Sequence, residues 1–136
     1  MVAKNILSIC VLCLFFGCNV GDSQWDLDTI DQLPIVVTSD AVNVSNVSAS
    51  VSYDVISDGG SSVTQRGVCW STDQNPTISD DLTNQGAGTG SFTIVLSNLT
   101  LNTTYYVRAY AINEVGVAYG NEISFLTTTT LILFPQ

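Results

Sequence analysis

The sequence of 136 residues contains no histidine. Histidine is the commonest general base near neutral pH and the commonest zinc ligand, so the most frequent catalytic and zinc sites are excluded. No EF-hand or repeated carboxylate spacing is present either, and we predict no metal site. Without these residues or a recognisable cleft motif, we expect a protein that is not an enzyme and that has no cofactor.

Basic residues are almost as scarce. Lys4, Arg66 and Arg108 stand against twelve Asp and Glu residues, which gives a formal net charge of −9. If Lys4 leaves with a signal segment, the charge becomes 2 − 12 = −10. A surface this acidic repels nucleic-acid phosphates, so we expect no nucleic-acid partner.

The N-terminal apolar run is short. It covers only residues 6–16, whereas a transmembrane helix takes about twenty residues. Lys4 precedes the run and a polar stretch follows it, which is the arrangement of a signal peptide.

The sequence "LFFGC" at residues 14–18 indicates the type of signal, because Gly17 is a small residue directly before Cys18. This segment resembles the lipobox of bacterial lipoproteins. The resemblance implies removal of residues 1–17, acylation of Cys18 and a lipid anchor in the bacterial outer membrane, on the cell surface or on the periplasmic face. A plain secretory signal with an incidental cysteine is the alternative.

The remaining cysteines follow from this assignment. Cys10 and Cys13 leave with the signal peptide and Cys18 carries lipid, so Cys69 remains alone. We therefore expect no internal disulfide. With no histidine to activate it, Cys69 is predicted to be an inert, packed thiol.

Residues 18–33 are polar and acidic, and we interpret them as a flexible linker. Within them "DTI" at 28–30 resembles the O-glycosylation motif of the Bacteroidota, which makes Thr29 a candidate glycosylation site. An ordinary linker threonine is the alternative.

From Pro34 onward, short alternating runs are separated by turn residues, and no helical periodicity occurs. The cleanest run predicts a strand whose inward face is Val47, Ala49, Val51, Tyr53 and Val55. Seven strands are predicted at 35–38, 47–55, 63–71, within 77–90, 91–96, 104–113 and 117–127. Such a pattern favours an all-β sandwich over a closed barrel.

Tyr105 follows the turn "LNTT" at the start of the sixth predicted strand. In sandwiches of this type a tyrosine there spans the corner between the sheets, and its hydroxyl bonds to upstream backbone. We predict this role for Tyr105, with Leu99 filling the same corner.

The segment "LTLNTTYYVRAYAINEVG" at 99–116 resembles the fibronectin type III signature, although Leu101 and Asn102 stand where that family has proline and glycine. Together with residues 58–77, 88–92 and 103–125, it resembles the fibronectin type III-like modules of Bacteroidota surface lipoproteins. The resemblance covers residues 34–127 and implies a seven-stranded immunoglobulin-like sandwich. Such modules occur in adhesins, glycan-handling proteins and plain spacers, so the resemblance does not specify a function.

The even-numbered residues of the sixth predicted strand suggest a binding surface. Tyr106, Arg108 and Tyr110 are expected to point outward side by side, with Gln65 near them. Two tyrosines around an arginine can bind a sugar face or a partner protein. Packing that covers an outer sheet face is the alternative. Asp80 and Asp81, by contrast, are interpreted as part of a solvated turn.

The apolar residues 131–134 lie in a tail at 128–136. They can extend the last strand, dock on another subunit as an added strand, or lead into a further domain. Two functions follow. The first is a non-catalytic, membrane-anchored surface lipoprotein whose module binds an unidentified protein or glycan. The second is an accessory or structural subunit of an outer-membrane or filament assembly that docks through this tail.

Overall fold

The computed structural model describes residues 30–129. These residues contain no helix, and therefore none that could cross a membrane. They form eight strands: β1 (Ile35–Thr38), β2 (Ala49–Ser57), β3 (Gln65–Ser71), β4 (Asp81–Leu82), β5 (Gly90–Leu96), β6 (Thr104–Ile112), β7 (Val117–Tyr119) and β8 (Ile123–Leu126). The predicted signal peptide, Cys18, Thr29 and the apolar residues 131–134 lie outside the described residues.

The strands form two antiparallel sheets. The smaller sheet has the order β1-β2-β5, and the larger has the order β4-β3-β6, with β7 and β8 both paired to the far side of β6. Side chains from both sheets form one core cluster. This arrangement confirms the predicted all-β sandwich.

The last predicted strand, 117–127, is divided into β7 and β8 by Gly120, Asn121 and Glu122. Asn121 turns toward the smaller sheet, where its side chain accepts a hydrogen bond from the Thr38 N–H (2.9 Å) and donates one to the Thr38 carbonyl (2.9 Å). A Cβ at Gly120 would lie 2.6 Å from Thr38 Oγ1. The close approach of β1 therefore requires glycine at this position and interrupts the strand.

Alternation predicts the core well along β2 and β6. Ala49, Val51, Tyr53 and Val55 are all buried, as predicted. Val47 is not: it is 48% exposed, and its inward prediction is wrong. It precedes β2 in a turn in which the Ser45 N–H bonds the Ser48 carbonyl, so the strand's period of two does not extend to it.

The corner between β5 and β6 is built as predicted. The Tyr105 hydroxyl accepts a hydrogen bond from the Thr100 N–H at 2.9 Å, and Leu99 is buried beside it. Asn102 has φ of 56°, a left-handed conformation that asparagine tolerates better than most residues. The buried Thr127 hydroxyl donates to the Thr100 carbonyl at 2.6 Å and so ties β8 to the same corner.

Gln32 already contacts the domain, although it lies in the predicted linker. Its N–H bonds the Gly59 carbonyl at 2.7 Å, and its carbonyl accepts from the Asn113 side chain at 2.5 Å. The contacts of the module thus include at least one residue that precedes Pro34.

Candidate functional site

Tyr110 does not lie on an exposed surface, contrary to the sequence-based expectation. It is 0% exposed. Its hydroxyl donates to the Thr83 carbonyl at 2.6 Å and accepts from Gln65 Nε2 at 2.8 Å. The partner of Tyr110 on β3 is Gly67, where an added Cβ would lie only 2.1 Å from the Thr83 carbonyl oxygen. The missing side chain at Gly67 leaves space for Thr83, which accepts from Tyr110.

Tyr110 and Gln65 are therefore brought together, but in an internal hydrogen-bond network. Burial raises the pKa of Tyr110, which keeps its hydroxyl protonated as a donor.

Arg108 stacks on a residue that the sequence analysis did not assign to it. Its guanidinium lies 4.3 Å from the centre of the Tyr119 ring, a cation–π contact. It also donates to the carbonyls of Gly120 (3.4 Å) and Pro76 (3.5 Å). Pro76 is fully buried, so the loop after β3 packs against the outer face of the larger sheet and Arg108 helps to hold it there.

Among Tyr106, Arg108 and Tyr110, only the side chain of Tyr106 makes no hydrogen bond to another described residue. It is half-buried on β6, opposite Ser71 of β3 and Ser124 of β8. The packing alternative thus describes Tyr110, Gln65 and Arg108, while a partner-binding role for the group stays a prediction.

A groove of about 430 Å³ opens at the other end of β3. Its residues come from the end of β3, the following loop, the start of β4 and the start of β6. They are Trp70, Ser71, Thr72, Ser79, Asp80, Asp81 and Tyr105.

The strand register places the aromatic and acidic residues of this groove together. Trp70 on β3 lies directly opposite Asp81 on the two-residue edge strand β4. Residues directly opposite in an antiparallel pair have their side chains on the same face, with Cβ atoms about 5 Å apart. Trp70 also packs against the core cluster, so one part of its indole is anchored while another part lines the groove.

A short turn positions the remaining polar residues. The Asp80 carboxylate accepts a hydrogen bond from the Thr77 N–H at 2.8 Å, and the Asp80 N–H donates to the Thr77 carbonyl at 3.0 Å. Such a local side-chain-to-backbone bond favours a turn over continued strand. Asp80 thus belongs to a turn, as expected from the sequence, while its neighbour Asp81 enters β4.

Several groups of the groove have no hydrogen-bond partner among residues 30–129. These are the Asp81 carboxylate, the hydroxyls of Thr72 and Ser79, and the indole N–H of Trp70. The groove is therefore lined mainly by polar groups, with part of the Trp70 side chain beside them. The Tyr105 hydroxyl, in contrast, is occupied by Thr100.

The described residues contain no group of three or more His, Cys, Asp or Glu side chains that could hold a metal ion. Cys69 is a free, buried thiol whose Sγ lies 3.5 Å from the Arg108 carbonyl oxygen. Burial raises the pKa of Cys69 to about 11. The packed position predicted for this thiol is confirmed. Because the thiolate is the reactive form, the raised pKa disfavours its reaction near neutral pH.

Arg66 is a buried cation that the sequence analysis missed. It is 9% exposed, and its guanidinium lies 3.6 Å from the centre of the Phe92 ring. Its Nε has no hydrogen-bond partner within residues 30–129. The signal was present in the sequence, because Arg66 has the same parity on β3 as the inward residues Val68 and Trp70. It packs between the sheets and lies outside the groove.

The sequence matches no family model and no curated protein. Solved structures do match. The sensor domain of the anti-sigma factor RsgI4 from Pseudobacteroides cellulosolvens is 14% identical, with a TM-score of 0.54 over 72% of this chain and 97% of that one. The FN3 domain of human collagen XX is 22% identical, with a TM-score of 0.51 over 73% and 96%.

A third similar structure holds domains FN1–FN3 of chicken CNTN1, at 20% identity and a TM-score of 0.54. The match covers 74% of this chain but 32% of that longer one. At these identities the similarity establishes the fold alone. Residues 30–129 thus have a fibronectin type III-like fold, which is often used as a binding or structural module.

Proposed function

We propose that this protein is a non-catalytic surface lipoprotein, anchored in a bacterial outer membrane through Cys18, whose fibronectin type III-like module binds a protein or a glycan. The single observation that carries a binding role is the groove around Trp70, where an aromatic surface adjoins polar groups that have no partner among the described residues. Polar groups left unpaired in a concave site can fix the orientation of a ligand.

A binding role fits the chemistry of the described side chains better than a catalytic one. The groove residues are Trp, Tyr, Ser, Thr and Asp, and none is a histidine that could activate a hydroxyl. The thiol of Cys69 is buried, and its raised pKa keeps it protonated. Its role is packing in the outer layer of the larger sheet.

The anchor rests on the sequence. A short apolar run ending in "LFFGC" precedes the module, and a lipid tether would hold the module at the membrane. The acidic surface would disfavour adsorption to anionic lipid headgroups, so the tether would be the main membrane contact.

Membrane fractionation of the native chain and of Cys18→Ser tests the anchor. We expect the native chain in the membrane fraction with fatty acyl groups at Cys18 by intact mass, and the variant released into the soluble fraction. An unmodified Cys18, or a mature chain that retains residues 1–17, would contradict the proposal.

A pull-down from membranes solubilised in detergent tests the binding role. We expect a partner that is retained by the native module and reduced by substitution of Trp70. A stoichiometric membrane protein that is lost only when residues 131–136 are removed would instead favour the accessory-subunit function, with the tail as an added strand.

A further inference from the structure

We propose that the groove around Trp70 binds a neutral saccharide, with one sugar ring on the indole and its hydroxyl groups bonded to Asp81, Thr72 and Ser79. This inference rests on the proposed binding function and gives its ligand class.

Trp70 is held in place before any ligand binds. The Trp70 side chain is partly exposed and packs against the core cluster, and its strand is paired on both sides, with Asp81 of β4 and with Val107 of β6. A side chain fixed in this way loses little conformational entropy when a ligand binds. The face of an aromatic ring is electron-rich, and the C–H groups on one side of a pyranose form an apolar surface that can stack on it.

The groove contains both hydrogen-bond donors and hydrogen-bond acceptors. The Asp81 carboxylate only accepts hydrogen bonds, the Trp70 N–H only donates, and the hydroxyls of Thr72 and Ser79 do both. Every sugar hydroxyl is also both donor and acceptor, so a saccharide can use all of these groups. A lysine ammonium has three donors and no acceptor, and would leave the indole N–H and the hydroxyl protons unused.

The charge of the groove disfavours acidic ligands. Asp80 and Asp81 line the groove, whereas the two arginines of the described residues are directed elsewhere, Arg66 onto Phe92 and Arg108 onto Tyr119. The whole chain carries a formal charge of −9. Uronic-acid, sulfated or phosphorylated glycans would therefore be repelled, and a neutral saccharide is selected.

Fluorescence of Trp70 provides a direct test on the full-length chain. The sequence has two tryptophans, so Trp25→Phe leaves Trp70 as the sole indole reporter. The protein, in a detergent without a sugar headgroup, is titrated with neutral oligomers of glucose, mannose, galactose and xylose. Oligogalacturonate and a lysine-rich peptide serve as the acidic and cationic probes. We expect saturable change in Trp70 emission with at least one neutral oligomer and none with oligogalacturonate.

Asp81→Ala supplies the specificity test, and Asp73→Ala is its matched control, because Asp73 is an exposed carboxylate in the same loop region but does not line the groove. Loss of hydrogen bonds to a charged group is expected to weaken binding by about tenfold or more. Asp73→Ala should leave the affinity unchanged. Trp70→Ala should abolish binding, and circular dichroism shows whether it is folded; if it is not, Asp81→Ala decides.

Three results would overturn the inference: no neutral oligomer binds, oligogalacturonate binds more tightly than they do, or Asp81→Ala and Asp73→Ala behave alike. Binding of the lysine-rich peptide alone would also overturn it and assign the groove to a cationic protein segment. In that case, or if a protein partner is recovered without any glycan binding, the binding function stands and only the ligand class falls. Absence of both glycan and protein binding would remove the function itself.

Discussion

The substitution Tyr105→Phe isolates one hydrogen bond at the corner between β5 and β6. It removes the hydroxyl that accepts the Thr100 N–H at 2.9 Å. It keeps the ring, which is buried and lies 5.9 Å from the ring of Phe125, measured between centroids. A change in stability therefore reports the hydrogen bond and not the burial of the aromatic ring.

The magnitude follows from what becomes of the Thr100 N–H. Leaving a buried donor without a partner costs about 1–3 kcal/mol. The Thr100 side chain is exposed, so water can reach part of this site and we expect the lower part of that range, about 1–1.5 kcal/mol. For a domain of about 100 residues, each kcal/mol lowers Tm by roughly 4–8 °C. The expected decrease in Tm is therefore about 4–12 °C.

Urea unfolding followed by circular dichroism measures this loss. Tyr106→Phe is the matched control, since Tyr106 is the next residue on β6 and its hydroxyl makes no hydrogen bond to another described residue. We expect a change below about 0.5 kcal/mol there. Equal losses of unfolding free energy in the two variants, or a loss below about 0.5 kcal/mol for Tyr105→Phe, would refute a stabilising role for the hydrogen bond between the Tyr105 hydroxyl and the Thr100 N–H.

Three further predictions concern buried groups. Replacing Arg66 by Met should leave the free energy of unfolding unchanged or raise it by up to about 2 kcal/mol. The substitution removes from the core a desolvated charge whose Nε has no partner among the described residues. A loss above about 1 kcal/mol in urea unfolding would show that stacking on Phe92 outweighs desolvation. The substitution Gly67→Ala should cost about 1–3 kcal/mol, because its Cβ would lie 2.1 Å from the Thr83 carbonyl oxygen; an unchanged urea midpoint would disprove this packing. The thiol of Cys69 ionises at a pKa of about 11 in the folded chain against 9.0 for the free group, so its contribution to stability is present below pH 9 and is lost as the pH rises toward 11. That contribution is on the order of 2–3 kcal/mol, and the difference in unfolding free energy between the native chain and Cys69→Ala should shrink over this range; a constant difference would contradict it.

The strands of this protein can be predicted from the sequence because each depends on local alternation of apolar and polar residues. Ala49, Val51, Tyr53 and Val55 repeat every second residue, and all are buried. The role of the corner tyrosine can be predicted because it is also local: Tyr105 and the Thr100 N–H that it bonds are only five residues apart. Where the local pattern and the tertiary packing agree, the sequence suffices.

The exposure of side chains on the outer faces of the sheets cannot be predicted in this way. The exposure predicted for Tyr110 fails because the space above Gly67 is filled by Thr83, which is 27 residues away from Tyr110 in the chain. Alternation identifies which side chains leave the inner face, but not which loop then covers them. Arg108 illustrates the same limit, since its stacking partner Tyr119 lies on β7.

The groove around Trp70 depends on a pairing between distant segments. Trp70 and Asp81 become neighbours only because β3 and β4 pair in one particular register, and Tyr105 joins them from β6. A shift of one residue in that pairing would turn the Asp81 side chain to the other face. No spacing along the chain between residues 70 and 105 encodes this proximity.

The sequence by itself determined the class of fold, the inward faces of the long strands and the corner tyrosine. These features follow from short-range alternation, which can be read along one segment of chain. Only the tertiary structure decided that Tyr110 is enclosed, that Arg66 lies between the sheets, and that Trp70 meets Asp81 in an open groove. Burial and site geometry arise from contacts between segments far apart in the chain, and the register that creates those contacts is set by the packing of the whole sandwich.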